Sequence, residues 1–218
     1  MRYPRLFKQQ NVYFPTFFGW LTIFIISLTS LFIFANSIHP FLAVCKPINS
    51  KVFIIEGWLP DYCLEQFINN YNFDDIDKIF VTGGPLEQGS YLKEYNSFAA
   101  VGAQTLKRLG ITDSLIIEVP APYVQKDRTF TSALALKKFI SNSSTIDSAT
   151  IITLGVHSRR SQLLFQKAFS DSAKIGVVSI RNRDYDPKYW YVSSMGLKTV
   201  IVEIISYIYT KLFFSKFE

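Results

Sequence analysis

The chain has 218 residues, of which 49% are hydrophobic and 18% charged, and its formal net charge is +6. This length allows one domain with an appendage, or two very small domains. The sequence contains no nucleic-acid-binding motif, so we expect no nucleic acid among its partners. Its two cysteines and two histidines show no ligand spacing, and the sequence therefore predicts no metal site.

The first feature along the chain is an apolar run. No charged residue lies between Lys8 and Lys46, and residues 17–35 are almost all apolar. About 20 such residues cross the roughly 30 Å of hydrocarbon in a bilayer, and the run lacks the polar face of a core helix. We predict a transmembrane helix over 15–36 and a linker over 37–50. The run is longer than the hydrophobic region of a signal peptide, which favours an uncleaved anchor.

The flanking charges predict how the anchor is oriented. Arg2, Arg5 and Lys8 precede the apolar run without an acidic residue among them, which favours a cytoplasmic N-terminal flank over 1–14. We therefore expect a single-pass protein of the inner or plasma membrane, with its globular part (51–218) external or periplasmic. The lipid bilayer is then its first partner.

Beyond residue 50, short apolar runs alternate with helical patterns. The runs lie at 51–56, 78–82, 115–119, 150–154 and 175–180, and the helical patterns at 60–71, 92–109, 129–140 and 158–169. Strands alternating with helices predict a parallel sheet whose right-handed crossovers cover both faces. The expected fold is an α/β, three-layer Rossmann-like domain with a mainly parallel five-stranded sheet.

Two features of this domain allow alternative interpretations. The stretch 195–214 is apolar but contains Lys198, Glu203 and Lys211. The charges favour an amphipathic helix, which closes the sheet or lies at the bilayer surface, over a second membrane span. Cys45 and Cys63 either form a disulfide outside the cytoplasm or remain two thiols, because their spacing decides nothing.

In open parallel sheets, ligands bind beyond the carboxyl ends of the strands, and unusual residues collect at those ends here. Gly83 and Gly84 follow the second strand, where missing side chains either let backbone amides approach a ligand or form a tight turn. Thr129 stands at a helix start, as a helix cap or as a ligand contact.

Three charged or titratable residues complete the candidate site. His157 and Arg160 stand at the N-terminus of a helix after the fourth strand, where the helix dipole and a guanidinium favour an anion. Glu94, early in the predicted second helix, is either a general base or hydroxyl acceptor, or a solvated helix residue. We predict Glu94 and His157 as catalytic residues, and Gly83, Gly84, Thr129 and Arg160 as ligand-binding residues.

These motifs, in this order, resemble the YdcF/SanA/ElyC-like family. They are Val81-Thr82-Gly83-Gly84, Glu94, Leu109-Gly110-Ile111, Arg128-Thr129 with Ala133, and His157-Ser158-Arg159-Arg160. The resemblance implies a Rossmann-like domain, often with an N-terminal membrane anchor, and a link to the cell envelope. Thr82, Arg128 and Ser132 stand where the family usually has Ser, Asn and Asn, which indicates a distinct subfamily.

The expected function follows from the anchor, the site and the resemblance together. We expect an envelope protein whose external domain binds, or binds and transforms, an anionic or nucleotide-like small molecule in envelope polysaccharide or peptidoglycan metabolism. The alternative is a non-catalytic scaffold that recruits envelope-synthesis proteins. The sequence identifies no cofactor.

Overall fold

A computed structural model describes residues 13–86, 94–143, 145–170 and 172–212. The chain divides into two compact units, Met1–Ser37 and Ile38–Glu218.

Most of helix α1 (Phe17–Leu42) belongs to the first unit. Its apolar side chains are exposed, and among the described helices it is the one long and apolar enough to cross a membrane. The helix ends six residues beyond the predicted end at residue 36. Its last turn continues because it packs in the second unit, where Leu42 is fully buried.

The predicted linker is therefore part of the second unit. After α1 ends, the Lys46 backbone N–H donates to the Val177 carbonyl at 2.7 Å, and the Val177 N–H donates to the Lys46 carbonyl at 3.0 Å. This bridge ties the segment to an edge strand of the sheet.

Within its described residues, the second unit has five strands and five further α-helices. The strands are β1 (Val52–Glu56), β2 (Lys78–Gly83), β3 (Ile116–Pro120), β4 (Ser148–Leu154) and β5 (Lys174–Ile180). The helices are α2 (Asp61–Asn70), α3 (Phe98–Arg108), α4 (Arg128–Ser143), α5 (Ser158–Phe169) and α6 (Ser194–Leu212). All strand pairs are parallel and the order is β3-β2-β1-β4-β5, which confirms the predicted α/β fold.

Two apolar layers hold the sheet. Helices α2 and α3 pack on one face with side chains such as Phe67 and Leu106, and α4 and α5 pack on the other with Leu136 and Phe165. The strands are buried on both faces, which is why they read as continuous apolar runs. The chain moves in opposite directions across the sheet on either side of the β1–β4 boundary. A crevice forms there, outside the carboxyl ends.

The start of α3 corrects a sequence prediction. The helix begins at Phe98 rather than at residue 92, because the Ser97 side chain caps it by accepting from the Ala100 N–H at 3.1 Å. Residues 87–93 of the predicted helix lie outside the described residues. A smaller difference concerns β3, which begins one residue late because Leu115 ends a 3₁₀ turn.

Helix α6 lies where the sequence predicts a helix over 195–214. Residues 213 and 214 of that prediction lie outside the described residues. Gly196, Val200, Glu203 and Thr210 are buried and define its inner face. That face packs against the unit beside α5, Val200 joining a small core with Leu42, Val156 and Trp190.

Candidate functional site

A cavity of about 750 Å³ lies at the carboxyl ends of the strands. Its walls come from the ends of β1 and β2, the segment after β3, the start of α5 and one side of α6. This is the crevice where doubly wound sheets bind ligands.

The structure brings five of the six predicted site residues to this cavity. Gly83, Gly84, Thr129, His157 and Arg160 all line it. Glu94 is exposed and is not among the described residues that line the cavity. The reason is the late start of α3: Glu94 precedes the helix by four residues instead of standing within its first turn.

Gly83 and Gly84 differ in whether the packing around them requires a glycine. A Cβ on Gly83 would lie 2.7 Å from the Cβ of Phe98, so this glycine is needed for the close approach of α3 to the sheet. A Cβ on Gly84 would meet no atom within 4 Å. Gly84 therefore faces open space in the cavity wall, and packing does not demand a glycine there.

Thr129 does not cap α4. It is the second residue of the helix, and the residue before the helix is Asp127, which has a φ of 58°. The Asp127 carbonyl accepts hydrogen bonds from the N–H of Thr131 at 2.9 Å and from its hydroxyl at 3.2 Å. The capping interpretation of Thr129 is wrong, and its half-buried side chain lies in the cavity wall.

A buried carboxylate sits at the innermost end of the cavity. Glu56, the last residue of β1, is 3% exposed. The Ser161 hydroxyl donates to it at 2.9 Å, and the Thr153 hydroxyl donates to its other oxygen. Because three elements hold it, this carboxylate has a fixed position facing His157, whose Nε2 is 3.6 Å away.

His157 reaches this place through a turn that needs glycine. The 3₁₀ turn Gly155–His157 follows β4 directly, and Gly155 has a φ of 49°, a value that favours glycine. Helix α5 begins at the next residue. The imidazole is mostly buried and meets the ring of Trp58 edge-on, with 5.2 Å between the centroids.

The partner of both His157 and Arg160 is Glu203 on α6. Its carboxylate accepts from His157 Nδ1 at 2.8 Å and from Arg160 Nε and Nη2, each at 2.9 Å. We call Glu56, His157, Arg160 and Glu203 the charge cluster. The sequence predicts His157 and Arg160 as residues open to an anion, but in the structure an internal carboxylate engages the guanidinium and one ring nitrogen.

The charge cluster shifts the pKa values of its members. Burial alone would lower the pKa of His157, but the facing Glu56 carboxylate and the hydrogen bond to Glu203 raise it to about 9. Burial alone would raise the pKa of Glu203, but hydrogen bonds from Arg160 and His157 lower it to about 2. The pKa of Glu56 is also lowered, because the His157 cation and two hydroxyl donors outweigh its burial. At neutral pH the cluster holds two cations and two anions.

Two buried polar atoms in the wall lack a hydrogen-bond partner. Among the described residues, neither Thr82 Oγ1 nor His157 Nε2 makes a hydrogen bond. Thr82 is 1% exposed, and it pairs in register with Glu56 across β1 and β2. The His157 Nε2 has an ion-pair contact with Glu56 at 3.6 Å but no hydrogen bond, whereas the Thr82 hydroxyl has neither among the described residues. Buried polar groups normally make hydrogen bonds, so these two atoms in one cavity indicate a place for a ligand atom or a water.

The remaining wall combines positive charge with apolar surface. Its charged side chains are Glu56, Lys126, Asp127, Arg128, His157 and Arg160. With His157 protonated, four of these side chains are positive and two negative, and the Glu203 carboxylate that pairs with His157 and Arg160 adds a third negative charge. Trp58, Tyr123 and Tyr209 contribute aromatic surface. The cavity thus suits a molecule with a flat apolar part and a negatively charged group.

Sequence reasoning missed two residues of this site. Glu56 ends the first predicted run at 51–56, and an acidic residue that ends an apolar strand is a signal, but the sequence prediction gives it no role. Glu203 enters the sequence prediction only as a charge in an apolar helix. Its signal was the spacing of Gly196, Val200 and Glu203, which places the carboxylate on the buried stripe of α6.

Fold and site together define a Rossmann-like α/β domain with a cavity at the carboxyl edge of its sheet that combines apolar surface with charged side chains. Comparisons with models of protein families, with curated proteins and with solved structures find no match to this chain. The resemblance to the YdcF/SanA/ElyC-like family therefore stays a prediction.

Proposed function

We propose that this chain is a membrane-anchored protein whose second unit binds an anionic, nucleotide-like small molecule at the carboxyl edge of the sheet. The observation that carries the proposal is that two buried atoms in one cavity wall, Thr82 Oγ1 and His157 Nε2, make no hydrogen bond among the described residues. Leaving a buried hydroxyl such as that of Thr82 without a hydrogen bond costs about 1–3 kcal/mol, which a bound polar group would offset.

The electrostatics of the wall support an anionic ligand. The wall has more cations than anions when His157 is protonated, and α5, a helix of 12 residues, begins directly after His157. A helix N-terminus adds about half a positive charge. Trp58 and Tyr123 offer surfaces on which a ring of the ligand stacks.

The protonation state of His157 limits the chemistry of the site. With a pKa of about 9, the imidazole is protonated at neutral pH, so Nε2–H donates a hydrogen bond to a ligand and is a poor proton acceptor. In a catalytic reaction His157 would serve as general acid, and the ionised Glu56 beside it would accept a hydrogen bond from a ligand hydroxyl. Glu94 supports a base role less well, because it lies outside the cavity wall.

Helix α1 and its flank support the cellular placement. The helix has the length and composition of a membrane span, and Arg2, Arg5 and Lys8 before it favour a cytoplasmic N-terminus. The family resemblance adds the cell envelope as the site of action. An alkaline phosphatase fused to the C-terminus should be active, and a fluorescent protein fused at the same position should not fluoresce. The reverse pattern would contradict the predicted orientation.

The sharpest test of the binding site is Thr82→Val, which removes the unpartnered hydroxyl and keeps the shape of the side chain. The full chain in lipid nanodiscs is titrated calorimetrically with inorganic phosphate, adenosine monophosphate and uridine monophosphate. We expect at least one of these to bind, and Thr82→Val to weaken it about 3- to 10-fold, the loss of one neutral hydrogen bond. The same substitution should leave thermal stability unchanged or raise it, because it removes a buried unsatisfied group.

Lys138→Gln is the matched control, because Lys138 is exposed and does not line the cavity. It should leave both affinity and stability unchanged. If Thr82→Val destabilises the fold and the affinities of all three probes stay the same, the hydroxyl is structural and the proposed site is wrong. The alternative of a non-catalytic scaffold predicts that none of the three probes binds.

A further inference from the structure

Helix α6 exposes a row of large apolar side chains, although its buried face, which packs through Val200, also takes up two polar residues. Its buried face carries Glu203 and Thr210, both less than 10% exposed. Its outer face carries large apolar side chains that are 38–70% exposed: Leu197, Ile201, Val202, Ile205, Ile208 and Leu212. We call these six residues the outer stripe.

The spacing shows that the outer stripe is one continuous surface. Leu197, Ile201, Ile205, Ile208 and Leu212 follow one another at intervals of three or four residues, so they align along one side of the helix. Exposed apolar side chains are ordinary when they are scattered, but a contiguous row along a helix of 19 residues marks an interaction surface.

The charges beside the outer stripe favour an anionic lipid surface as its partner. Lys198 and Lys211 are exposed near the two ends of α6. Within Ser194–Leu212, all of which the structure describes, the single acidic residue is Glu203, and it faces inward. Apolar side chains flanked by lysines are the composition of a helix that lies in the membrane interface, where each lysine near an anionic surface contributes about 1 kcal/mol.

The neighbours of α6 point to the same partner. Residues 38–42 continue the apolar run into the second unit, and Phe41 meets the ring of Tyr207 on α6 edge-on, with 5.6 Å between the centroids. Ile38 and Ile204 pack in the same small core. The helix that carries the outer stripe is therefore packed directly against the segment that leaves the candidate membrane span.

We infer that α6 lies flat in the membrane interface, with the outer stripe in the lipid, its buried face against the second unit, and Ile205 where the stripe meets the cavity wall. This inference rests on the proposed membrane anchorage of α1 and is independent of the ligand. It gives the helix that closes the cavity a second partner, the bilayer.

Site-directed fluorescence in the full chain tests the inference. With Cys45→Ser as background, Ile201→Cys and Ile208→Cys are each labelled with a nitrobenzoxadiazole maleimide, and the protein is placed in nanodiscs of phosphatidylcholine and phosphatidylglycerol. Because an interfacial helix buries its apolar side about 5–10 Å deep, doxyl groups on the lipid chains should quench both labels about twofold or more. Aqueous iodide should quench them weakly.

Two further labels separate the possible failures. Leu134→Cys, on α4, is equally exposed at 43% and should be quenched by iodide but not by doxyl lipid. Ile26→Cys reports the anchor itself and should be quenched by doxyl lipid; if it is not, the anchorage fails. If the label at 26 is quenched by lipid while those at 201 and 208 respond to iodide, the outer stripe faces water and the inference is wrong. If both quenchers fail at 201 and 208, a protein surface covers the stripe, which also overturns the inference.

Discussion

Replacing Glu203 with glutamine should uncouple α6 from the charge cluster. The substitution keeps the shape of the side chain and removes the charge that accepts from His157 and Arg160. Breaking a buried ion pair by removing one partner costs about 3–5 kcal/mol, because the remaining charge stays buried without compensation. We expect the free energy of unfolding to fall by about that amount at neutral pH.

The pKa of His157 reflects the whole charge cluster, because the facing Glu56 carboxylate raises it as well as the hydrogen bond to Glu203. A group whose pKa is about 9 when folded and about 6.5 when unfolded stabilises the fold by about 3 kcal/mol. Because the folded pKa is the higher one, this contribution is complete below about pH 6.5 and is lost as the pH rises through about 9. Glu203, with a pKa of about 2, contributes above about pH 4.5 and loses its contribution as the pH falls through about 2. The contributions of His157 and Glu203 are not additive, because both include the hydrogen bond between these two residues.

Two measurements on the full chain in nanodiscs test this reasoning. Urea unfolding should show a smaller decline in stability between pH 7 and about pH 10 for Glu203→Gln than for the natural chain. Because the chain has two histidines, selective ¹⁵N-histidine labelling gives two titrating rings, and the one lost in His157→Gln is assigned. We expect its midpoint near 9, and lower by about one unit or more in Glu203→Gln.

The control is Glu65→Gln, which changes an exposed glutamate on α2 and should alter stability by less than about 0.5 kcal/mol. A His157 midpoint near 6.5 in the natural chain would refute the charge assignment. A midpoint that Glu203→Gln leaves unchanged would refute the coupling to α6.

Three further predictions concern other parts of the second unit. Gly83→Ala should lower the free energy of unfolding by about 1–3 kcal/mol, because its Cβ would lie 2.7 Å from a side chain of α3. Gly84→Ala should leave stability unchanged and weaken phosphate or nucleotide binding. Equal shifts in melting temperature for the two variants would contradict this difference. Ser161→Ala should cost about 1.5–3 kcal/mol in urea unfolding, because a buried carboxylate loses a donor, and an unchanged midpoint would count against it. Iodoacetamide at mildly alkaline pH should alkylate exposed Cys45 and spare Cys63, where burial raises the thiol pKa to about 11; mass spectrometry showing modification of both would disprove the buried placement.

The strands were predictable because local sequence carries their signal. In a parallel sheet covered on both faces, β1 and β4 have no polar face, so both read as short apolar runs between turn residues. The start of α3 was not predictable from periodicity alone. Ser97 is one of several polar residues before the helix, and the helical pattern continues upstream of the cap.

The candidate site was predictable to the extent that strand ends define it. Gly83 and His157 are predictable because Gly83 ends β2 and His157 ends the short turn that follows β4. Glu203 could not be assigned by the same logic, because its contact with Arg160 joins residues 43 positions apart and depends on how α6 folds back over the sheet. The buried stripe of that helix shows that a polar side chain faces inward, but it does not show which partner the side chain meets.

The exposure of the charge cluster decides which solution conditions act on α6. The side chains of His157, Arg160 and Glu203 are 11–19% exposed, so dissolved ions have little access to the space between them. Even at about 1 M ionic strength, where the Debye length is about 3 Å, screening acts mainly through solvent and leaves such contacts largely intact. A change of pH acts on these groups directly, because His157 loses its proton as the pH rises through about 9. The attachment of α6 to the sheet should therefore be insensitive to ionic strength and sensitive to alkalinity, so that a shift toward alkaline pH loosens this helix where added salt does not.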